Sequence, residues 1–315
     1  MKRLKLLSAV IGLLLISGVG MAQINPRASC RSVCSTIGDV RIHYLHYLPS
    51  DTLVVRGSVL LVHGFAGSTF SWRFITDTLV ASGFEVVAVD VPPYGYSDKN
   101  PALNQSFTAR ALLLMDFLAK ELPERRWHLT GHSMGGGMVE ALAILMQDQV
   151  LSVTFVDGAI FRSLHVGPYP VPMLFRNPVS RGILLTVFKP LMVNRPAVKW
   201  MLKSAYGTKP SRRDVTGYLR PLQERGTARA ILRSAAASVE VMPVAADSLK
   251  VPVLAFWGSN DRWIPEEVFA PVLELMPDTR KVIIEGAAHC PMETHPEEFI
   301  RVFLPFLLVN TPSDQ

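Results

Sequence analysis

The chain has 315 residues, 49% of them hydrophobic and 18% charged, with a formal net charge of +6. That apolar share can bury a large core and excludes a chain disordered by composition. Lys2, Arg3 and Lys5 carry three of the six charges, and the remaining +3 is too mild to indicate a nucleic-acid partner.

Residues 1–22 have the layout of a signal peptide. Their charged start precedes an apolar stretch over 6–16, and Gly20 and Ala22 occupy the small-residue positions before a cut. An exported protein, periplasmic or secreted, with a mature start near Gln23 is expected. If uncleaved, the same segment would be a membrane anchor. Cys30 and Cys34 follow, and their spacing leaves a disulfide between them open.

An antiparallel edge strand is expected over 41–48. Buried strands are predicted over 58–63, 85–91, 127–130 and 152–156, with helices over 107–122 and 135–147 between them. After residue 156 the rhythm stops for about ninety residues rich in Pro, Arg, Met and aromatics, where helices are expected over 179–188, 197–206 and 229–239. It resumes with strands over 253–257 and 281–284 and helices over 266–276 and 296–308. Continuous Val/Ile/Leu strands alternating with helices predict a doubly wound, mostly parallel α/β sheet. The expected division is a signal peptide at 1–22, core at 23–158, an inserted helical lid at 159–248 and core again at 249–315.

Gly131-His132-Ser133-Met134-Gly135 lies between a predicted strand and a predicted helix. A tight strand-to-helix turn at that place lifts the Ser133 hydroxyl above the sheet, and side chains two residues to either side would collide, hence Gly at both. A serine hydroxyl needs a base within hydrogen-bond reach and a third group to orient that base. His289 follows the strand over 281–284, and Asp261 follows the strand over 253–257, both at the carboxyl edge of the sheet. Asp157, after the strand over 152–156, occupies a comparable position and competes with Asp261 for the role of acid. Cys290 reads as a small buried hydrophobe. His63, His132 and Asp90 read as structural, and His295 as a surface or capping residue. No phosphate loop, dinucleotide fingerprint or metal-spaced cluster is evident, so no cofactor is expected.

In its four segments His63-Gly64-Phe65, 90–98, 131–135 and 289–299 the chain resembles the α/β-hydrolase superfamily, in its branch of capped esterases, epoxide hydrolases and carbon-carbon bond hydrolases. The resemblance implies the order Ser133, Asp261, His289 for the catalytic residues and an oxyanion hole from the backbone N–H groups of Phe65 and Met134. It implies a serine hydrolase acting on a small, apolar carboxylic ester. Alternatives on the same residues are a carbon-carbon bond hydrolase, a proline iminopeptidase-like enzyme or a non-catalytic binding protein. Between 160 and 248 fourteen Lys or Arg stand against four Asp or Glu. Peripheral contact of the lid with an anionic membrane is therefore a further expectation.

Overall fold

A computed structural model of the chain describes residues 29–51, 53–158, 193–236, 249–276 and 278–312. Residues 1–22 and the helix expected over 179–188 lie outside them. Eight strands form one sheet in the order β1-β2-β4-β3-β5-β6-β7-β8. They are β1 (Ser29–Ile37), β2 (Val40–Leu48), β3 (Gly57–Val62), β4 (Phe84–Asp90), β5 (Trp127–His132), β6 (Val150–Val156), β7 (Val253–Gly258) and β8 (Thr279–Ile284). From β4 to β8 every pairing is parallel, whereas β1–β2 and β2–β4 are antiparallel. The predicted doubly wound, mostly parallel sheet is the observed fold.

Every residue of β3 to β7 is buried, because side chains alternate between two covered faces. Leu60, Val62, Val87, Val89, Phe155 and Trp257 join a core cluster with α2 (Phe107–Glu121) and α3 (Met134–Leu145). Val59, Leu61, Val86 and Phe256 point the other way, into a cluster with α1 (Thr76–Ala81) and the last helix, Pro296–Val309. Among the described residues three helices lie between β6 and β7: α4 (Arg195–Tyr206), α5 (Arg212–Gln223) and α6 (Thr227–Ala236). After them come α7 (Glu266–Leu273), α8 (Pro291–Thr294) and α9 (Pro296–Val309).

One expectation is corrected and one open question is answered. The strand over 41–48 is not the sheet edge, because β1 pairs outside it. Largely exposed and polar, β1 lacks the apolar alternation by which strands are recognised, and its place is set by its hydrogen-bond ladder with β2. The open question concerns Cys30 and Cys34, which sit four residues apart on that extended strand. That spacing is roughly 13 Å, beyond the ~7 Å between Cα atoms that a disulfide spans. Both are free and exposed, and within this strand they cannot pair with each other.

Burial also fixes three histidines in their neutral form. Desolvation lowers the pKa of His63, and it takes His128 and His132 down to about 3. Their unfolded counterparts titrate near 6.5. The stability that His128 and His132 contribute is therefore complete above that value and is lost as pH falls from about 6.5 toward 3, at up to about 1.4 kcal/mol per pH unit for each, and the lowered pKa of His63 acts in the same direction. Thermal melting followed between pH 7.5 and 5, above the range of ordinary carboxylates, is expected to show a steady fall in Tm. His128→Asn should make that fall shallower. A flat profile would show that these imidazoles bind protons equally well in both states.

Candidate active site

Ser133 stands between β5 and α3 with φ +50°, a conformation that costs a non-glycine residue energy. The turn is held by Ser133 N–H donating to Val156 O (3.0 Å) and Gly136 N–H to Ser133 O (2.9 Å). Backbone packs against backbone here. A Cβ on Gly131 would come within 2.3 Å of Gly135 O, and one on Gly135 within 2.3 Å of Val62 O. Glycine at both positions is what allows the turn to close.

Ser133 and His289 line one cavity, and both are nearly buried, at 8% and 3% exposure. His289 Nδ1 lies 2.8 Å from Asp261 Oδ2. An ionised carboxylate only accepts, so Nδ1 carries the hydrogen and Nε2 keeps its lone pair. The loops bearing the two residues are tied to each other: Asn260 N–H donates to Ala287 O (2.8 Å) and Ser259 N–H to Ile284 O (3.1 Å). Asp261 is further held by the N–H groups of Trp263 (2.7 Å) and Ile264 (3.2 Å) on Oδ1. Burial alone would raise its pKa, but these donors and His289 outweigh burial and hold it below the usual carboxylate value. The structure thus joins Asp261 to His289 by a hydrogen bond and places Ser133 on the same cavity as His289.

Asp157 is drawn into the same cluster. It is fully buried, its Oδ1 accepts from Gly258 N–H at 2.9 Å, and an oxygen of Asp157, an oxygen of Asp261 and a ring nitrogen of His289 lie within 4.8 Å of one another. Two carboxylates in such proximity do not both ionise at neutral pH. Burial and the neighbouring Asp261 charge push Asp157 well above the ordinary range, which makes it the protonated partner.

The remaining predicted residues take varied places. Phe65 lines the cavity. Met134 opens α3, so its N–H lacks an intrahelical partner. His63 bridges two loops, with Nδ1–H donating to Gly64 O (2.7 Å) and Nε2 accepting from Val91 N–H (3.0 Å). His132 donates from Nε2 to His289 O at 2.7 Å, fixing the loop that carries the base. Asp90 accepts from Thr69 N–H, Tyr96 N–H and His43 Nδ1. Cys290 is buried, and desolvation pushes its thiol pKa far up, so it stays a thiol. His295 occupies the N-cap position of α9 but makes no capping bond.

Sequence reasoning missed Trp263 and Tyr218. The Trp263 ring stacks on His289 with centroids 5.1 Å apart, and its Nε1 donates to Ser204 Oγ on α4 at 2.9 Å. An aromatic two residues after the expected acid was the only available signal. Tyr218 lines the cavity from α5, together with Met201, Leu202 and Ala205 from α4. With Phe65, Trp263 and Cys290 these side chains make a mostly apolar wall around a space of about 30 Å³.

A family model described as the alpha/beta hydrolase family matches residues 59–302. A pimeloyl-[acyl-carrier protein] methyl ester esterase of Hamiltonella defensa is 26% identical over 256 residues, spanning 78% of this chain and 91% of the relative. A 2-hydroxy-6-oxononadienedioate/2-hydroxy-6-oxononatrienedioate hydrolase of Burkholderia vietnamiensis is 24% identical, spanning 85% of this chain and 91% of its own. Among solved structures, a membrane phospholipase A superposes with a TM-score of 0.68 at 25% identity, over 90% of this chain and 87% of that one. An epoxide hydrolase superposes with a TM-score of 0.71 at 20% identity, over 89% and 99%.

Proposed function

Because the chain belongs to the alpha/beta hydrolase family, we propose that it hydrolyses carboxylic esters through an acyl-enzyme on Ser133. The observation that carries this reading is the Asp261–His289 hydrogen bond beside a cavity lined by Ser133. His289 Nε2 takes the hydroxyl proton as Ser133 Oγ attacks the ester carbonyl. The oxyanion is met by the backbone N–H groups of Phe65 and Met134, the latter at the positive end of α3. His289 then returns its proton to the departing alkoxide, and water, activated by the same nitrogen, releases the acid. A serine nucleophile favours acyl transfer over epoxide opening, since an alkylated serine is an ether that water does not cleave.

The apolar wall suits an apolar acyl or alcohol group. A space of about 30 Å³ holds roughly one water molecule, so α4 and α5 act as a lid that shifts to admit an ester. Fluorophosphonate labelling of the wild type, lost in Ser133→Ala, combined with turnover of p-nitrophenyl esters of rising acyl length, tests the proposal. A wild type that neither labels nor turns over any ester would sink it.

In this scheme Asp261 orients the base, and neutral Asp157 donates to Asp261. Asparagine mimics a neutral acid, retains a donor and tolerates positive φ, which matters at the +43° of Asp157. Asp157→Asn should therefore keep kcat within about fivefold, whereas Asp157→Leu, which buries no donor, should lose roughly tenfold or more. Steady-state kinetics would decide; loss of activity in the asparagine variant would transfer the role of acid to Asp157.

A further inference from the structure

The described helices between β6 and β7 are strongly basic. Residues 193–236 contain ten Lys or Arg and two Asp or Glu. Four of the cations, Arg195, Lys199, Lys209 and Arg212, are exposed and converge on a surface depression of about 580 Å³ that no acidic residue lines among those described. Asp214 is occupied elsewhere, capping α5 and bonded to Arg73. The N-terminal N–H groups of α5 are likewise engaged by the Ser211–Asp214 capping box, so the positive potential comes from the side chains.

Arg195 is oriented by donating to Thr216 Oγ1 at 3.1 Å. Close like charges repel by up to roughly 1 kcal/mol per pair in water, and a phosphate placed among them relieves that repulsion through charge-assisted hydrogen bonds. Next to Lys199 in the chain, Trp200 is 71% exposed. An indole is poorly placed in plain water and well placed where apolar chains meet headgroups. The opposite face of α4 buries Val198, Leu202 and Ala205, and it helps to wall the cavity over Ser133.

We propose that this face of α4 and α5 docks on anionic phospholipid membranes, taking lipid phosphates into the Arg195–Lys199–Lys209–Arg212 depression and seating Trp200 among the headgroups. Docking places the helix that roofs the catalytic cavity directly on lipid, which points to an interfacial lipid ester as the substrate class. Only that last step rests on the ester-hydrolase reading, because membrane binding is measurable without turnover.

The experiment uses the full chain carrying Ser133→Ala, with vesicles of phosphatidylcholine alone or mixed with phosphatidylglycerol. Binding to the anionic vesicles should be at least about tenfold tighter at low salt, and the advantage should shrink in molar salt, where screening reaches about 3 Å. Adding Lys199→Glu and Arg212→Glu should lower anionic binding on the order of a hundredfold. The apolar N-terminal segment is common to all variants and cancels from the comparison. In otherwise wild-type protein the same pair should leave hydrolysis of a soluble p-nitrophenyl ester within about twofold, which checks folding. Equal binding by parent and charge-reversed protein, or equal binding to both vesicle types, overturns the proposal. So does thermal protection by inorganic phosphate without any vesicle preference, which would mark a site for a free anion. Vesicle binding that persists while no ester is cleaved would instead count against the ester reading alone.

Discussion

Ser133→Ala is expected to lower kcat by roughly 10⁶-fold on any ester that the wild type cleaves, and His289→Ala to do nearly as much. The two substitutions remove the nucleophile and the group that activates it, so their effects should not add: the double variant should resemble either single one. Asp261→Asn should cost about 10⁴-fold. An amide can donate to Nδ1 and so favour the tautomer with hydrogen on Nε2, which faces the serine with a donor where a lone pair is needed. Folding should barely register the change at Ser133, since alanine accepts the same turn and leaves no charge unpaired. Unfolding in urea should agree with the wild type within about 1 kcal/mol. Residual activity within tenfold of wild type in Ser133→Ala would mean that another group carries the chemistry.

Arg73→Met is expected to be the most destabilising single change away from the catalytic residues. The Arg73 guanidinium bonds Glu293 and Asp214 (2.5 Å) and lies 4.1 Å from the ring centroids of both Phe70 and Phe74. Glu293, in the short helix after His289, also receives hydrogen bonds from Tyr206 of α4 (2.6 Å) and from Tyr218 of α5. Its side chain is wholly enclosed and that of Arg73 almost so. Removing one member of such a pair leaves an uncompensated buried charge, at a cost of about 3–5 kcal/mol. Removing both charges in Arg73→Met with Glu293→Gln should restore much of the loss, and a double-mutant cycle in urea measures the coupling. Because the network joins α4 and α5 to the segment behind the catalytic base, Arg73→Met should also raise KM through a loosened cavity wall. Additive effects of the two changes would show that the charges do not sense each other.

Much of the architecture was legible along the chain because it depends on local rules. Parallel strands covered on both faces must be apolar without interruption, and that pattern marked β3 to β7 within a few residues of their observed ends, together with the apolar end of the more exposed β8. A serine turn needs glycine at Gly131 and Gly135 whatever surrounds it, so Ser133 could be recognised from five residues. What escaped recognition depends on partners distant in sequence. Exposed β1 is a strand only because β2 offers it a ladder. The helix α5 contains Gly217 and Pro221, which read as breakers, yet Val215, Tyr218 and Leu219 share a face that the core buries, and burial outweighs propensity.

The candidate site divides in the same way. Spacing after a strand places Asp157, Asp261 and His289 at one edge of the sheet, but it cannot say which carboxylate meets the imidazole. That choice is made by the Asp261 loop, which presents Oδ2 to His289 at 2.8 Å and collects two backbone donors on Oδ1. Asp157 is left buried against it as the carboxyl that keeps its proton. The sequence alone determined the fold class and the glycine-flanked turn at Ser133, because both rest on steric and burial rules that act within a few residues. Which carboxylate meets the His289 imidazole, which aromatic stacks on it and how α4 and α5 are fastened were decided only by tertiary structure, since burial and proximity across the sheet set those charges and contacts.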